Sequence, residues 1–305
     1  MAVLRHLARL GAPAELLDLS RFPKELQISL GSDPAGGRDT RLRFPDSREI
    51  NFAEVRAVWW RRPQPFEIDP AIRRPGHRVF AYNESHEAFA GLWLALDACW
   101  VNHPTATETS ARKPYQLRVA QEVGLTIPHT LITNDPVAAR AFVAAQPGGA
   151  IYKAFSATEQ EWRETRLLRP EEIAGLDNVA YAPVIFQEYV PAGVDLRITV
   201  IGNAIFPAAI HSQETSYPVD FRMDMSQARV EPVTLPAETE ASLLRLMARL
   251  GIVYAAIDMR RTPDGHYVFL EVNPAGQWLF IEQRTSQPIT STLARYLSTY
   301  GAGEN

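Results

Sequence analysis

Hydrophobic and polar residues alternate along the chain in two different periods, which predict helices and strands. Leu4, Leu7 and Leu10 lie at helical spacing and predict a short opening helix. The segments AELLDL, LQISL, TRLRF and VRAVWW then predict strands, and residues 80–98 predict a long helix. An open α/β domain usually begins with a strand, whereas this pattern begins with a helix. We therefore expect that a first strand is missing upstream.

Two breaks in the pattern divide the chain into three predicted domains. The first domain, residues 1–103, ends at WVNHP because a residue before proline avoids the helical region. Residues 104–182 form a small α/β lobe, predicted from SARKPYQLRVAQEVGL (helix), PHTLITND (strand), PVAARAFVAAQ (helix) and AIYKAF (strand). Residues 183–305 form a lobe on an antiparallel sheet, with strands VIFQEYV, DLRITVIG, AIFPAAI, VYAAIDMR and HYVFLEV. The overall prediction is an α/β (α+β) fold.

Length and composition limit the number of subdomains, the kinds of binding partner and the cellular compartment that are expected. Single hydrophobic cores stop growing at about 250–300 residues. A chain of 305 residues is therefore expected to fold into two or three subdomains. The net charge is -4 and the basic residues are spread out, which argues against a nucleic-acid partner. Cys99 is the single cysteine, which excludes an intrachain disulfide and favours the cytoplasm. No signal peptide or membrane-spanning pattern occurs, so no membrane partner is expected.

The turn TPDG predicts a hairpin that brings oxygen-bearing side chains together. If Pro263 and Asp264 form a two-residue loop, counting outward places Asp258 opposite Phe269, with Glu271 on the same face. Asp258 and Glu271 would then be diagonal neighbours about 7–8 Å apart. Asn273 follows on that face and completes a predicted Mg²⁺ site. Solvated acids on an exposed strand are the alternative, and a one-residue bulge would turn Asp258 to the opposite face.

Three polar positions in predicted strands are candidates for ligand binding, two as partners of an anion and one as an acceptor. Lys153 stands among apolar residues in GAIYKAF, where a buried lysine needs an anion such as phosphate, unless it reaches solvent from an edge strand. In DLRITVIG, Asp195 and Arg197 share one face. Arg197 could bind phosphate or carboxylate, and Asp195 could accept from a ribose hydroxyl, although a surface ion pair is the alternative.

Four ordered motifs resemble the ATP-grasp superfamily, whose members hold ATP between two lobes and activate a carboxylate as an acyl phosphate. They are AVWWRRP, RKPYQLRVAQEVGLTIPHTLITNDP, QEYVPAGVDLRITVIG and FLEVNPAGQWLFIE, and they are most similar to the microviridin-type or graspetide maturases of ribosomally made peptides. The resemblance implies an ATP-grasp ligase that joins Glu or Asp side chains of a precursor peptide to Ser, Thr or Lys. It also implies a leader segment that recruits the enzyme, and it is compatible with a homodimer.

The resemblance assigns roles to residues by position. It implies that Lys113 and Lys153 bind phosphate and that Asp195 serves the ribose. Arg197 and Arg222 would steady the transferring phosphate or the acyl phosphate, with Arg222 preferred over His211 in the same long loop. The hinge against adenine would consist of Gln187, Glu188, Tyr189 and Val190. The ligands of Mg²⁺ would be Asp258, Glu271 and Asn273. Two Mg²⁺ ions are expected.

The sequence departs from the family pattern after Lys153, where SATEQEWRETR lacks the glycines that cover the phosphates in many ATP-grasp enzymes. Two rival functions stay open. One is a ligase acting on free amino acids or protein termini, similar to glutathione synthetase or the ribosomal-protein glutamate ligases. The other is a catalytically silent module that binds ATP or a leader peptide.

Overall fold

The computed structural model of the chain describes residues 1–155, 166–214 and 228–301. Its internal contacts define two units, one formed by Met1–Thr107 with Thr290–Asn305 and one formed by Glu108–Ile289. Both units contain helices and sheets, so the predicted mixed α/β architecture is confirmed. Within the described ranges, no helix combines the length and the apolar character needed to cross a bilayer.

The first unit is built around two small sheets and one long helix. Its elements are α1 (Ala2–Arg9), β1 (Gln27–Ser32), β2 (Arg38–Arg43), β3 (Glu49–Asn51), β4 (Ala57–Trp59), α2 (Pro75–Ala95), β5 (Cys99–Val101), the start of α3 (Pro104–Ser110) and all but the first residue of the last helix, Ile289–Gly301. Strands β1, β2 and β3 form an antiparallel sheet, and β4 pairs with β5 in parallel. The strand predicted from AELLDL is wrong, because Asp18 instead caps a 3-10 turn by accepting from Ser20 N at 3.1 Å.

The second unit contains a four-stranded sheet with the order β6-β9-β7-β8. Its elements are α4 (Lys113–Glu122), β6 (Thr130–Thr133), α5 (Pro136–Ala144), β7 (Ala150–Lys153), β8 (Arg166–Leu167), α6 (Pro170–Ala174) and β9 (Val184–Glu188). Asp135 caps α5 by accepting from Val137 N at 2.9 Å. The sequence assigned VIFQEYV to the C-terminal lobe, whereas β9 pairs with β6 and β7 in this sheet. The predicted three-domain division stays a prediction.

A five-stranded antiparallel sheet forms the rest of this unit, with the order β12-β11-β10-β13-β14. Its strands are β10 (Val194–Ile201), β11 (Ala204–Ile210), β12 (Val230–Pro232), β13 (Tyr254–Arg261) and β14 (Tyr267–Asn273), and the helices are α7 (Ala237–Leu250), α8 (Leu279–Thr285) and the first residue of α9 (Ile289–Gly301). Every residue of the central strand β10 is buried. Because side chains alternate across a strand, its polar residues Asp195, Arg197 and Thr199 share one face.

The predicted register of the β13–β14 hairpin is wrong at two places. Thr262 pairs with His266 instead of Gly265, so the loop has one residue more than predicted. A bulge between Asp258 and Met259 then shifts the ladder by one residue, and Asp258 lies directly opposite Glu271. Either change alone would place Asp258 on the face opposite to that of Glu271. The two changes together return Asp258 to the face of Glu271. The predicted convergence on one face therefore holds, with Asp258 and Glu271 closer than the diagonal pair expected.

Candidate active site

Two cross-strand ion pairs occupy the polar face of the central strands. Asp195 on β10 lies opposite Arg260 on β13, and Arg197 lies opposite Asp258. Residues two apart on a strand are about 7 Å apart, so positive and negative side chains alternate along and across the two strands. Arg260 Nε lies 2.7 Å from Asp195 Oδ1, and Arg197 Nη1 lies 2.8 Å from Asp258 Oδ1. Such buried charges are tolerated because each has an opposite charge at hydrogen-bonding distance.

Arg197 connects the strand to the segment that follows β14. Its Nη1 also lies 2.9 Å from Asp258 Oδ2, and its Nη2 donates to Gln277 O at 3.2 Å. Burial alone would lower the pKa of Arg197, but the charge of Asp258 and its hydrogen bonds outweigh burial, so the pKa lies above its ordinary value. Arg197 is therefore a fixed, permanently charged donor on the polar face.

The three predicted metal ligands lie on the same face at the edge of the sheet. Asp258 and Glu271 are direct neighbours, and Asn273 on β14 lies opposite Ala256 on β13, one step further along the ladder. In the described ranges no group of three or more His, Cys, Asp or Glu side chains could hold a metal ion. The predicted ligands are two carboxylates and one amide. This set fits Mg²⁺, which commonly uses one or two carboxylates together with phosphate oxygens.

Helix α4 brings a lysine to this acidic edge. Lys113, in the first turn of α4, lies 2.5 Å from Glu271 Oε2, and both side chains are 25% exposed. One turn later, the buried Gln116 donates to Val272 O at 2.8 Å and accepts from Val272 N at 3.2 Å. Gln116 also donates to Ser110 O at 2.6 Å. The amide of Gln116 thus attaches α4 to the backbone of β14, which places Lys113 beside Glu271.

The segment after β14 packs closely over the sheet. The buried Tyr254 donates to Gly276 O at 2.6 Å, and its ring packs edge-on against Trp278 with centroids 5.5 Å apart. A Cβ at Gly276 would lie 2.3 Å from Ala256 Cβ and 2.9 Å from Arg197 Nη2. Glycine is needed here for this close approach. The backbone at Gly276 thus lies directly against the side chains of Ala256 and Arg197.

The predicted hinge, Gln187 to Val190, begins within β9 and contacts the predicted phosphate-binding lysine. Lys153 Nζ, at the end of β7, donates to Gln187 Oε1 at 2.8 Å. Gln187 is buried, and its Nε2 donates to Thr130 Oγ1 at 2.9 Å. Glu188 accepts from His129 N at 2.9 Å through its side chain. The structure therefore brings Lys153 and Gln187 together, and their roles toward ATP stay predictions.

The last two hinge residues contact the large sheet through Arg260. Its Nη1 donates to Val190 O at 2.7 Å, and its guanidinium lies 5.7 Å from the centre of the Tyr189 ring. Asp195 accepts from Arg260 and from Ser212 Oγ, and its side chain is only 3% exposed. Each oxygen of the Asp195 carboxylate thus already accepts one hydrogen bond within the fold, and the ribose contact of Asp195 stays a prediction.

Of the two candidate residues in the long loop, the structure describes His211 and not Arg222. Arg222 lies outside the described residues, as does most of the segment after Lys153. His211 lies at the base of the loop, where its Nε2 is 2.9 Å from Glu231 Oε1. The imidazole ring of His211 is therefore directed at Glu231.

Sequence reasoning missed Arg260, Gln116 and Tyr254. A signal existed for Arg260, since it lies two residues after Asp258 and so shares its face of β13. Gln116 follows Lys113 by three residues and so lies on the same side of α4. Tyr254 starts β13 among apolar residues, and nothing in the pattern distinguishes it from a core aromatic.

Comparisons with known proteins agree on one family. The family model of the MvdD pre-ATP grasp domain matches residues 1–108, and that of the RimK-like ATP-grasp domain matches residues 167–297. No curated protein sequence matches the chain.

Solved structures match along almost the whole chain. The macrocyclase MdnC of Microcystis aeruginosa MRC, bound with the precursor peptide MdnA, is 30% identical, with 98% of this chain and 95% of that chain covered and a TM-score of 0.87. The macrocyclase MdnB of the same organism is 30% identical, with 97% and 94% covered and a TM-score of 0.81. The ATP-grasp ligase PsnB, complexed with minimal precursor, Mg and ADP, is 25% identical, with 98% and 93% covered and a TM-score of 0.79. The chain belongs to the family of microviridin-type ATP-grasp macrocyclases and is an ATP-dependent ligase.

Proposed function

We propose that the protein closes rings in a precursor peptide, by joining Glu or Asp side chains of that peptide to Ser or Thr hydroxyls or to Lys amines. The observation that carries this proposal is the polar face of β10, β13 and β14, where Arg197, Asp258 and Glu271 lie side by side with Lys113 at the edge. The similarity to MdnC, which is bound with its precursor peptide, supports a peptide as substrate.

Each reacting atom is accounted for by two steps. An oxygen of the substrate carboxylate attacks the γ-phosphorus of ATP, ADP leaves, and an acyl phosphate forms. The hydroxyl or amine of the acceptor side chain then attacks the acyl carbon, loses its proton, and displaces inorganic phosphate. The peptide loses one water per link, and no side chain of the protein serves as a nucleophile.

The chain's own residues position and neutralise the charged reactants. Lys113 and Lys153 bind the phosphates of ATP, and Arg197 donates to the carboxylate or to the acyl phosphate. Arg222 is proposed to act beside Arg197. The adenine lies against the hinge of Gln187, Glu188, Tyr189 and Val190, with Asp195 as the predicted ribose partner.

Asp258, Glu271 and Asn273 would hold Mg²⁺, which would supply positive charge to offset the charge of the phosphates. Two ions remain the expected number. PsnB, a solved relative, contains Mg and ADP, which supports both groups as requirements of this chain. Recruitment through a leader segment, a homodimer and a cytoplasmic location also remain predictions.

The proposal is tested by incubating the protein with ATP, Mg²⁺ and the short peptide encoded beside it, and measuring the mass of the peptide. Loss of one water per link is the expected result. A gain of mass with an added amino acid would indicate ligation of a free amine, and it would overturn the proposal of ring closure. No change in mass with any acceptor, together with bound ATP, would identify a binding module instead.

A further inference from the structure

Arg260 makes three contacts within the second unit from a buried position. Its side chain is 8% exposed and lies 2.7 Å from Asp195 Oδ1 through Nε. Its Nη1 donates to Val190 O at 2.7 Å. Its guanidinium also faces the ring of Tyr189 at 5.7 Å. A single side chain on the five-stranded sheet therefore contacts the segment that leaves the four-stranded sheet.

This segment, residues 189–193, connects β9 to β10 and is attached to the protein at both ends by its backbone. Tyr189 N donates to Gly149 O at 3.0 Å, and Gly193 N donates to Arg261 O at 2.9 Å. Between these two anchors, the carbonyl of Val190 is held by Arg260. A charged donor to a carbonyl gives a stronger and more directional hydrogen bond than a neutral donor. Arg260 therefore fixes the orientation of the peptide group at Val190.

We propose that Arg260, oriented by Asp195, is a positioning residue that sets the geometry of the adenine-binding hinge and thereby its preference for adenine. This inference rests on the proposed function, in which Gln187 to Val190 face the adenine. Arg260 touches no reacting atom. It acts by holding the backbone of Val190 in a fixed place before the nucleotide arrives.

Asp195 is what makes Arg260 suitable for this task. It lies opposite Arg260 on the neighbouring strand, so the guanidinium is held at Nε while Nη1 remains directed at Val190 O. The second carboxylate oxygen of Asp195 accepts from Ser212 Oγ, which fixes the carboxylate in turn. Because a rigid hinge loses less freedom on binding, nucleotide affinity should depend on this pair.

A purely structural ion pair and a positioning pair have different consequences. Loss of a structural pair lowers the fraction of folded protein and weakens every nucleotide equally. Loss of a positioning pair raises Kd for ADP and KM for ATP, while GDP, which does not fit the hinge, is little affected. The ratio of GDP to ADP dissociation constants therefore separates the two cases.

The test uses the full chain with Mg²⁺ and titrates ADP and GDP by calorimetry. Arg260→Lys keeps the charge but cannot reach Asp195 and Val190 with separate nitrogens. We expect Kd for ADP to rise about tenfold, as the loss of one charged hydrogen bond implies, and Kd for GDP to change much less. Arg245→Lys is the matched control, because Arg245 also donates to a backbone carbonyl, Val123 O at 3.1 Å, elsewhere in the unit.

Two results would overturn the inference. One is an unchanged Kd for ADP in folded Arg260→Lys protein, and the other is an equal loss of affinity for ADP and GDP. If this variant does not fold, Arg260→Gln, whose amide keeps a donor for Asp195 but brings no charge to Val190 O, is measured against the same expectations. Wild-type protein that does not bind ADP would refute the proposed function and this inference with it, whereas unchanged variant affinity refutes the inference alone.

Discussion

Gly276→Ala adds one methyl group where the structure has no room for it. The added Cβ would lie 2.3 Å from Ala256 Cβ, whereas ordinary contacts begin at 3.4 Å, so one of the two segments must move by about 1 Å. The substitution introduces no backbone strain, since the φ of Gly276 lies outside the left-handed region. Overpacking of this kind costs about 1–3 kcal/mol, which lowers Tm by roughly 2–12 °C for a unit of this size.

The same displacement should reach the active site. The new Cβ would also lie 2.9 Å from Arg197 Nη2 and 3.3 Å from Asn273 O, so both predicted site residues would shift. We expect kcat/KM for product formation to fall together with Tm. The matched control is the exchange Ala256→Gly/Gly276→Ala, which removes the methyl group that causes the clash and should recover most of the lost Tm. Melting followed by circular dichroism checks both, and a single variant as stable and active as wild type would refute the packing argument.

Three further substitutions or treatments test other parts of the account. Glu271→Gln should abolish ADP release while the protein stays folded, since it removes a charge that the metal requires, and Glu238→Gln on the exposed surface is its control. Full coupled turnover in Glu271→Gln would show that the metal assignment is wrong. Gln116→Leu removes three buried hydrogen bonds and should lower the free energy of unfolding by about 2–4 kcal/mol in urea, against little change for Gln121→Leu on the exposed side of α4. Burial raises the pKa of the Cys99 thiol, so less thiolate is present at pH 8, and alkylation by iodoacetamide should be slower than that of a cysteine peptide. Equal rates at pH 8 would contradict this expectation.

Periodicity was sufficient to predict most strands of the large sheet and the face they share. The alternation in DLRITVIG placed Asp195 and Arg197 on one side, and the structure has them there, paired across the strands. Alternation reports which face a side chain occupies, because each step along a strand reverses the face. It does not report which residue lies opposite, and so the partners Arg260 and Asp258 could not be read from it.

The hairpin shows where sequence reasoning has too little information. A turn containing Pro263, Asp264 and Gly265 is compatible with a loop of two or of three residues, and the structure has three. The bulge that leaves Leu270 unpaired depends on tertiary packing around β14 and has no signal in the local pattern. Asp258 and Glu271 were therefore predicted on the correct face through an incorrect register.

Long-range contacts account for the rest. The ion pair between Lys113 and Glu271 joins residues 158 positions apart, so no local pattern could contain it. The sequence also placed β9 in the wrong sheet for this reason. Its pairing with β6 and β7 depends on contacts between distant parts of the chain. Family resemblance supplied the functional roles that pairing alone does not reveal.

The central claim is that a substrate carboxylate is activated as an acyl phosphate, and isotope transfer tests it most directly. A precursor peptide labelled with oxygen-18 in its Glu and Asp side chains is incubated with protein, ATP and Mg²⁺, and the inorganic phosphate is analysed by mass spectrometry. We predict one labelled oxygen in phosphate for each link formed, because the carboxylate oxygen that attacks the γ-phosphorus leaves with it. Link formation with unlabelled phosphate would contradict the account.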